Sequence, residues 1–357
     1  MESTVTKFAN FIGKSTDISI SNAAFHSAKL IVADCLGAII GGMAEPEIRA
    51  LAESEGANSE NLFQILSTAE KVNDETVSFL FGTAGTVLEM DEGHQFAKGH
   101  PGMHVFPALL AAARNSEISG EGFLRAFIIG YDVGARIGLA SNLNPNMHPH
   151  GTWGGLGAAA SLAALHNMDT QQANEYLNIV SSLTLATSRK TMLEGATVRN
   201  SYTGVSNKMA HVGLSLLKAG FTGESDGIKS IFDGVVSSRF DSKSAFELIG
   251  KRFEVNSSGI GDTRLSSLVN LFHNKRTKTH LGIGLSLPTG SIDKRDNTPV
   301  SSDARLGYGM QNGSVIYDLA ASQGGNSELT KVDEIIDSNG VKIMGESNIL
   351  NKITVSA

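Results

Sequence analysis

Apolar positions recur with a helical period over most of the first 235 residues. Several segments carry apolar residues three and four apart, begin at a polar or proline position and end near glycine, which predicts α-helices. These segments are 22–42, 73–90, 107–116, 119–140, 151–168, 169–188 and 206–223. The pattern therefore predicts a mainly α protein.

Small residues change this picture by indicating how the helices pack. The chain contains 39 glycines, many of them inside helical segments together with alanine. A glycine in a helix interior costs about 1 kcal/mol relative to alanine, so close contact between helix backbones is the expected compensation. We expect a compact all-α domain with buried central helices.

The pattern changes after about residue 255. Turn residues dominate 256–310, where only 264–273 stands out as an element, and we expect an irregular junction there. The stretch 311–357 contains two strand patterns, within 313–322 and 341–350. The predicted organisation is a helical domain over 1–255, the junction over 256–310 and a short α/β segment over 311–357.

Composition and charge exclude several classes of function. The formal net charge of −7 over 357 residues argues against binding nucleic acid, which requires a basic face. Apolar runs are interrupted before they reach the length of a membrane span, and no secretory signal is evident, so we expect a cytoplasmic protein without membrane contact. Cys35 is the single cysteine and cannot form an intrachain disulfide; we expect it to be buried in a helix.

Three stretches carry candidate chemistry, and the first is EMDEGHQFAKGHPGMHVFP at 89–107. Its acidic and histidine side chains can transfer protons near neutral pH. They are Glu89, Asp91, Glu92, His94, His100 and His104. The helical zinc pattern H-E-x-x-H is absent, and Pro101 places His100 before the helix. Proton transfer and a solvated polar loop both remain open from the residues alone.

The other two stretches supply groups that could bind an anion. His148, His150 and Thr152 precede a glycine-rich helix start, where backbone N–H groups favour a carboxylate, and Thr152 is a candidate cap. Arg199 follows later in a locally basic stretch, and a guanidinium can form two parallel hydrogen bonds to a carboxylate. A structural histidine and a surface arginine are the alternatives.

The three stretches, in this order, resemble the MmgE/PrpD family, which includes 2-methylcitrate dehydratase and cis-aconitate decarboxylase. The resemblance covers about residues 5–255 and rests on "GHPG…VFPALLAAA", "MHPHGTWGGLGAAASLAALHNMD" and "VRNSYTGVSNKMAHVGLSLLKAGFTG". Arg199 stands where the family often has lysine, and Tyr202 where histidine is usual. These departures are compatible with another substrate or reaction, such as epimerisation.

The resemblance implies a cofactor-independent lyase or isomerase acting on a small di- or tricarboxylate. It implies catalytic roles for Asp91, His100 and His148, no metal, no cofactor, and a homodimer. The implied substrate-binding residues are Glu89, His94, His150, Thr152, Arg199 and Tyr202.

The end of the chain departs from that family. No counterpart of its α+β lid domain is found after about Val255, and 311–357 resembles a piece of the NAD(P) transhydrogenase α subunit or alanine dehydrogenase. The G-x-G-x-x-G loop is missing, so we do not expect NAD binding. An inactive helical interaction module, or a truncated or fused enzyme fragment without activity, is the alternative function.

Overall fold

The computed structural model describes residues 2–58 and 72–257, together with five strands nearer the C-terminus. Most of the described chain is helical, which confirms the mainly α prediction. The helices are α1 Thr4–Ile12, α2 Asn22–Gly42, α3 Pro46–Ser54, α4 Asp74–Val87, α5 Pro101–Ala113, α6 Gly120–Ala140, α7 Gly154–Leu165, α8 Thr170–Ser181, α9 Arg189–Leu193, α10 Tyr202–Lys218, α11 Gly227–Ser230 and α12 Ser242–Phe246. Short 3₁₀ turns cover Thr197–Ser201 and Glu254–Ser257, and an irregular helical turn covers Ile231–Val235.

Capping residues explain why several helices begin where the sequence predicts. The side chains of Ser21, Asn73, Ser119 and Asp169 each accept a hydrogen bond from the backbone N–H three residues later. Such bonds satisfy donors that the first helical turn leaves without a partner. Asp169 forms a complete capping box with Gln172, the strongest of these start signals.

Helix α5 begins six residues before the predicted start at Pro107. Pro101 occupies its first turn, and Pro107 lies inside it. Pro107 has no N–H for the carbonyl of Met103, and Asn207 of α10 repairs this break. Its Nδ2 donates to Met103 O over 3.0 Å, and its Oδ1 accepts from Ala108 N over 2.9 Å. A side chain about one hundred residues away therefore allows α5 to continue through proline.

Glycines bring the central helices into close contact, as the composition predicts. A Cβ on Gly130 of α6 would lie 2.6 Å from the carbonyl oxygen of Gly157 in α7, and one on Gly82 of α4 would lie 2.7 Å from Cα of Gly204 in α10. Any larger residue would force these backbones apart. Every residue of α7 is buried.

Helix α2 combines a buried face with an exposed apolar one. Ile31 and Cys35 face the core, and Cys35 is a buried free thiol, as expected. Leu30, Leu36 and Ile40 are 46%, 37% and 47% exposed. Among the described residues α2 is the one helix long and apolar enough to cross a membrane, by length and composition alone, which corrects the expectation that every apolar run is too short.

The chain divides into two compact units, which we describe separately. The helical unit also contains a small antiparallel pair, β1 Ser141–Leu143 and β2 Ser237–Phe240. The strand unit contains an antiparallel hairpin, β3 Thr263–His273 with β4 Lys278–Leu287. It also contains a three-stranded sheet in the order β5 Val315–Asp318, β7 Val341–Gly345, β6 Ile335–Ser338.

The strands refine the prediction for the C-terminal part. Strands β5 and β7 lie in the two predicted strand segments, and β6 was not anticipated. The hairpin β3–β4 occupies part of the stretch expected to be irregular. Its residues alternate too weakly between apolar and polar, and carry too many Ser and Thr, to predict two paired strands. Residues 288–310 of that stretch lie outside the described residues.

Candidate active site

The loop between α4 and α5 brings the first predicted motif together. Glu89 follows the end of α4 with a φ of 54°, a left-handed conformation that reverses the chain. The loop closes on itself where His94 N donates to Gly99 O over 2.8 Å. His100 is the residue immediately before the first turn of α5, so it precedes the helix as the sequence predicts. The loop thereby returns His100 to Asp91.

Asp91 and His100 form a buried acid–imidazole pair. Oδ2 of Asp91 lies 3.2 Å from Nδ1 of His100, with the Asp91 side chain 1% exposed and that of His100 24% exposed. The same Nδ1 lies 2.6 Å from the carbonyl oxygen of Glu92, which assigns the proton to Nδ1 as donor. The lone pair of the neutral ring is then on Nε2, where a base would act.

Burial and charge act in opposite directions on this pair. Burial alone lowers the pKa of His100, but the carboxylates of Asp91 and Glu92 and two backbone hydrogen bonds raise it above its usual value. Burial raises the pKa of Asp91, an effect that the charge of His100 partly offsets. Burial also raises the pKa of Glu92 to about 8. Asp91, Glu92 and His100 therefore hold their protons more tightly than exposed groups of the same type would.

Three other imidazoles pack around the ring of His150. The ring centroid of His150 lies 4.6 Å from that of His100, 4.4 Å from that of His148 and 5.6 Å from that of His104. Burial, and then the charges of the other three histidines, hold the pKa of His150 well below its usual range. No three of the described His, Cys, Asp and Glu side chains are arranged to hold a metal ion. The second motif thus meets the first through its histidines.

His104 joins the two motifs as a neutral ring. Its Nδ1 donates to the carbonyl of His100 over 2.8 Å, and its Nε2 accepts from Gly151 N over 3.3 Å. Burial lowers its pKa to about 3, which keeps this pair of bonds intact at neutral pH. A Cβ on Gly154 would overlap the ring. These contacts give His104 the role of orienting the neighbouring loop.

Thr187 holds the loop that carries His148 and His150. Its hydroxyl lies 3.0 Å from the carbonyl oxygen of His148 and 2.7 Å from that of His150. His150 N donates to Nδ1 of His148 over 3.1 Å. Because Nδ1 accepts, the neutral ring of His148 carries its proton on Nε2 and can act as a donor there. No sequence motif pointed to Thr187.

Thr152 does not cap helix α7, which corrects that prediction. The helix begins after Trp153 without a side-chain cap, and the Thr152 hydroxyl donates instead to Pro149 O over 2.5 Å. Gly151, with a φ of 84°, and Pro149 fold the preceding loop into a tight turn that uses this hydroxyl internally. Thr152 is 1% exposed and stabilises the turn that carries His148 and His150.

In the third motif, Arg199 and Tyr202 contact different parts of the site. Both Nη atoms of Arg199 contact the carboxylate of Glu89, with Nη2 to Oε2 at 2.6 Å. Arg199 is 12% exposed and Glu89 50%. The Tyr202 ring lies 6.1 Å from that of His148, and its hydroxyl donates to Thr191 Oγ1 over 3.2 Å. Tyr202 thus connects the start of α10 to the histidine cluster.

His94 lies in a different setting from the other histidines. Its Nε2 is 3.5 Å from Oε2 of Glu254, whose other oxygen is 3.8 Å from Arg136. Arg136 is fully buried and pairs with Asp132 of the same helix at 2.6 Å. The substrate-binding role expected for His94 stays a prediction; its contacts anchor the loop of the first motif to α6.

Asp34 of α2 joins the site without any signal in the sequence analysis. Its carboxylate is coupled electrostatically to Asp91 and His100 and to the backbone N–H of Glu92. Burial, followed by the charge of Asp91, raises its pKa to about 6. Asp34 lies in an apolar helical segment that predicts a buried core helix. Its position near the first motif becomes evident only when the helices are packed together.

Comparison with known proteins found a matching family and a similar protein. Residues 6–244 match the model of the MmgE/PrpD N-terminal domain. A cis-aconitate decarboxylase-like protein, oryM of Aspergillus oryzae, is 24% identical over 193 residues. That match covers 49% of this chain and 37% of the relative's length, so the chain spans well under half of it.

A second match covers the end of the chain. Residues 302–357 match the alanine dehydrogenase/PNT C-terminal domain, which confirms the resemblance seen over 311–357. This stretch contains no G-x-G-x-x-G sequence. The match over 6–244 takes in all three histidine and arginine motifs and most of the chain, and through it the protein belongs to the MmgE/PrpD family.

Proposed function

We propose that the protein is a cofactor-independent lyase, a dehydratase or decarboxylase, acting on a small di- or tricarboxylate such as 2-methylcitrate or cis-aconitate. The pairing of Asp91 with His100 beside the His148–His150 loop carries this proposal. Two imidazoles with opposite tautomers meet in one place, which suits removal of one proton and delivery of another. The family membership and the oryM relative support the reaction class.

His100 is the proposed base. Its Nδ1–H points to the Glu92 carbonyl beside Asp91, so the lone pair on Nε2 can take a proton from a carbon next to a carboxylate. Asp91 stabilises the imidazolium that forms, as the acid does in an acid–histidine pair. The raised pKa of His100 makes it a stronger base once it is neutral.

His148 is the proposed acid. With Nδ1 accepting from His150 N, its Nε2–H can donate to a leaving hydroxyl in a dehydration. In a decarboxylation the same hydrogen would be delivered to the carbon that loses CO₂. Thr187 holds both flanking carbonyls and so fixes the direction of the ring.

Arg199 is the proposed carboxylate clamp. A guanidinium stays charged at any physiological pH and forms two parallel hydrogen bonds to a carboxylate, which is the geometry it already makes with Glu89. A substrate carboxylate would replace the side chain of Glu89 in that position. The lysine common in the family could also donate a proton, whereas Arg199 is suited to binding only.

Turnover by the purified full chain tests the proposal. The chain is incubated with 2-methylcitrate, cis-aconitate and related acids, and products are followed by NMR in D₂O, which also detects isomerisation through deuterium uptake. We expect turnover of at least one acid and a loss of about 100-fold or more in His148→Ala and His100→Ala. His26→Ala, at an exposed histidine of α2, is the matched control and should retain activity.

Two outcomes would reject the proposal. Folded protein that converts none of these acids favours the non-catalytic helical module. Turnover that survives in His148→Ala would show that the cluster is not where the reaction occurs.

A further inference from the structure

The segment 245–256, which belongs to none of the three motifs, is bound to helix α6. Arg136 of α6 is completely buried, and its guanidinium donates to three backbone carbonyls of the segment over 3.2, 2.9 and 2.6 Å. These carbonyls belong to Ala245, Glu247 and Arg252. Asp132, the partner of Arg136, accepts a hydrogen bond from the backbone N–H of Glu254 over 2.7 Å. The backbone of the segment is therefore fixed where Glu254 enters the core.

The two carboxylate oxygens of Glu254 have different neighbours. Oε1 lies 3.8 Å from Nη2 of Arg136 and 3.5 Å from Nη2 of Arg252. Oε2 lies 3.5 Å from Nε2 of His94. The side chains of His94 and Glu254 are 0% and 1% exposed, so this contact is made away from solvent. Two guanidinium groups attract one oxygen and thereby direct the other to the loop of the first motif.

His94 connects Glu254 to the backbone of that loop. Its Nδ1 accepts from Ala97 N over 3.0 Å, so the proton of the neutral ring is on Nε2, which faces Glu254. The backbone N–H of His94 donates to Gly99 O over 2.8 Å. Gly99 directly precedes His100. The contact with Glu254 therefore constrains the part of the loop that ends at His100.

Packing of the loop is the alternative explanation for its position. A Cβ on Gly99 would lie 2.8 Å from the ring of Trp153, so the loop rests directly on the indole. If this packing is sufficient, Glu254 only balances the buried charges of Arg136 and Arg252. The two explanations differ in what happens to His100 when the contact between Glu254 and the loop is removed.

We propose that Glu254 is a positioning residue of the proposed active site and that it acts through His94. Its role is to hold the loop in which Asp91 and His100 form their pair. Nδ1 of His100 lies 3.2 Å from Oδ2 of Asp91 and 2.6 Å from Glu92 O, and both partners are loop residues. A shift of the loop therefore changes both contacts. Glu254 has this role without contact to substrate.

Two substitutions remove the contact from either side. Glu254→Gln keeps the size of the side chain, but its one carbonyl oxygen can face either the guanidinium groups or His94, and not both. His94→Asn keeps an acceptor for Ala97 N in place of Nδ1 but is too short to reach Glu254. Glu247→Gln is the matched control, because this carboxylate is 59% exposed and pairs with the same Arg252 at 3.7 Å.

The first readout is the tautomer of His100. It is measured by ¹⁵N NMR in full-length protein labelled at histidine, at a pH where the ring is neutral, and assigned with His100→Gln. We expect the proton on Nδ1 in the wild type and in Glu247→Gln. In Glu254→Gln and His94→Asn we expect a mixture of both tautomers, because the acceptors of Nδ1–H have moved.

The second readout is turnover of 2-methylcitrate or cis-aconitate, whichever the wild type converts faster. In both variants kcat should fall about 10-fold or more while KM stays within about two-fold, because misplacing a reacting group slows the reaction itself. If His94 bound the substrate directly, KM would rise in His94→Asn alone. The double variant should be no slower than the slower single variant, since both substitutions remove one contact.

An unchanged tautomer of His100 in both variants, or additive losses in the double variant, would overturn the proposal. If Glu254→Gln does not fold, as judged by the fluorescence of the buried Trp153, His94→Asn decides with the same two readouts. The proposal rests on the proposed function for the reaction that the loop serves, but the tautomer is measured without turnover. A perturbed tautomer in a protein that converts neither acid would therefore reject the lyase alone.

Discussion

Replacing Asn207 with alanine should destabilise the helical unit by about 3 kcal/mol. Asn207 is completely buried, donates to Met103 O, the carbonyl that Pro107 leaves without a helical donor, and accepts from Ala108 N. In Asn207→Ala both main-chain groups stay buried without a partner. Each unpaired group costs about 1–3 kcal/mol, and the two together give the expected loss.

A second substitution separates this explanation from simple loss of packing. In Pro107→Ala the residue regains an N–H that can bond to Met103 O, so the double variant with Asn207→Ala should recover about 1 kcal/mol. Asn115→Ala removes an exposed amide that bonds to Asp74, and it should cost little.

Urea unfolding followed by the fluorescence of Trp153 measures these energies in the helical unit. Trp153 is the single tryptophan of the chain and is completely buried. A cost below about 0.5 kcal/mol for Asn207→Ala, or no recovery in the double variant, would refute the repair of α5 by Asn207.

Three further predictions concern charge and surface. Burial raises the pKa of Glu92 from 4.5 to about 8, so the folded protein holds a proton there that the unfolded chain loses, and the free energy of unfolding should fall between pH 4.5 and 8. Urea titrations over this range should show a smaller fall in Glu92→Gln. Glu89→Gln should release Arg199 and tighten the binding of citrate several-fold by calorimetry, whereas Glu89→Asp should bind like the wild type; unchanged affinity in Glu89→Gln contradicts the clamp. We also propose that the exposed apolar face of α2 contributes to a homodimer, so Leu36→Glu should convert a dimer to a monomer in light scattering, and a wild-type monomer rejects this.

Local signals in the sequence predicted much of the helical unit. Cap residues fix where α2, α4, α6 and α8 begin, since a side-chain oxygen before an apolar run satisfies local donors. The histidine before Pro101 was likewise placed ahead of its helix, because proline fits a first turn. These inferences need only neighbours in the chain, which the sequence displays directly.

Local signals could not predict contacts between segments that are distant in the sequence. Pro107 reads as a helix start because its repair by Asn207 lies in another helix. Asp34 reads as one polar position in an apolar helix because its partners belong to the loop before α5. Thr152 was expected to cap α7, but its hydroxyl donates to the carbonyl of Pro149 in the preceding turn. Each difference arises where tertiary contact competes with a local preference.

The loop of the first motif contacts two groups of buried charged side chains. In one group His94 lies 3.5 Å from Glu254, and Arg136 pairs with Asp132 at 2.6 Å while also donating to three backbone carbonyls. Arg136 resists rearrangement, because its guanidinium donors have fixed acceptors. In the other group the carboxylates of Asp91 and Glu92 act on one imidazole, that of His100, and raise its pKa. A titratable ring whose pKa is shifted by neighbouring charges is the arrangement expected where protons must move.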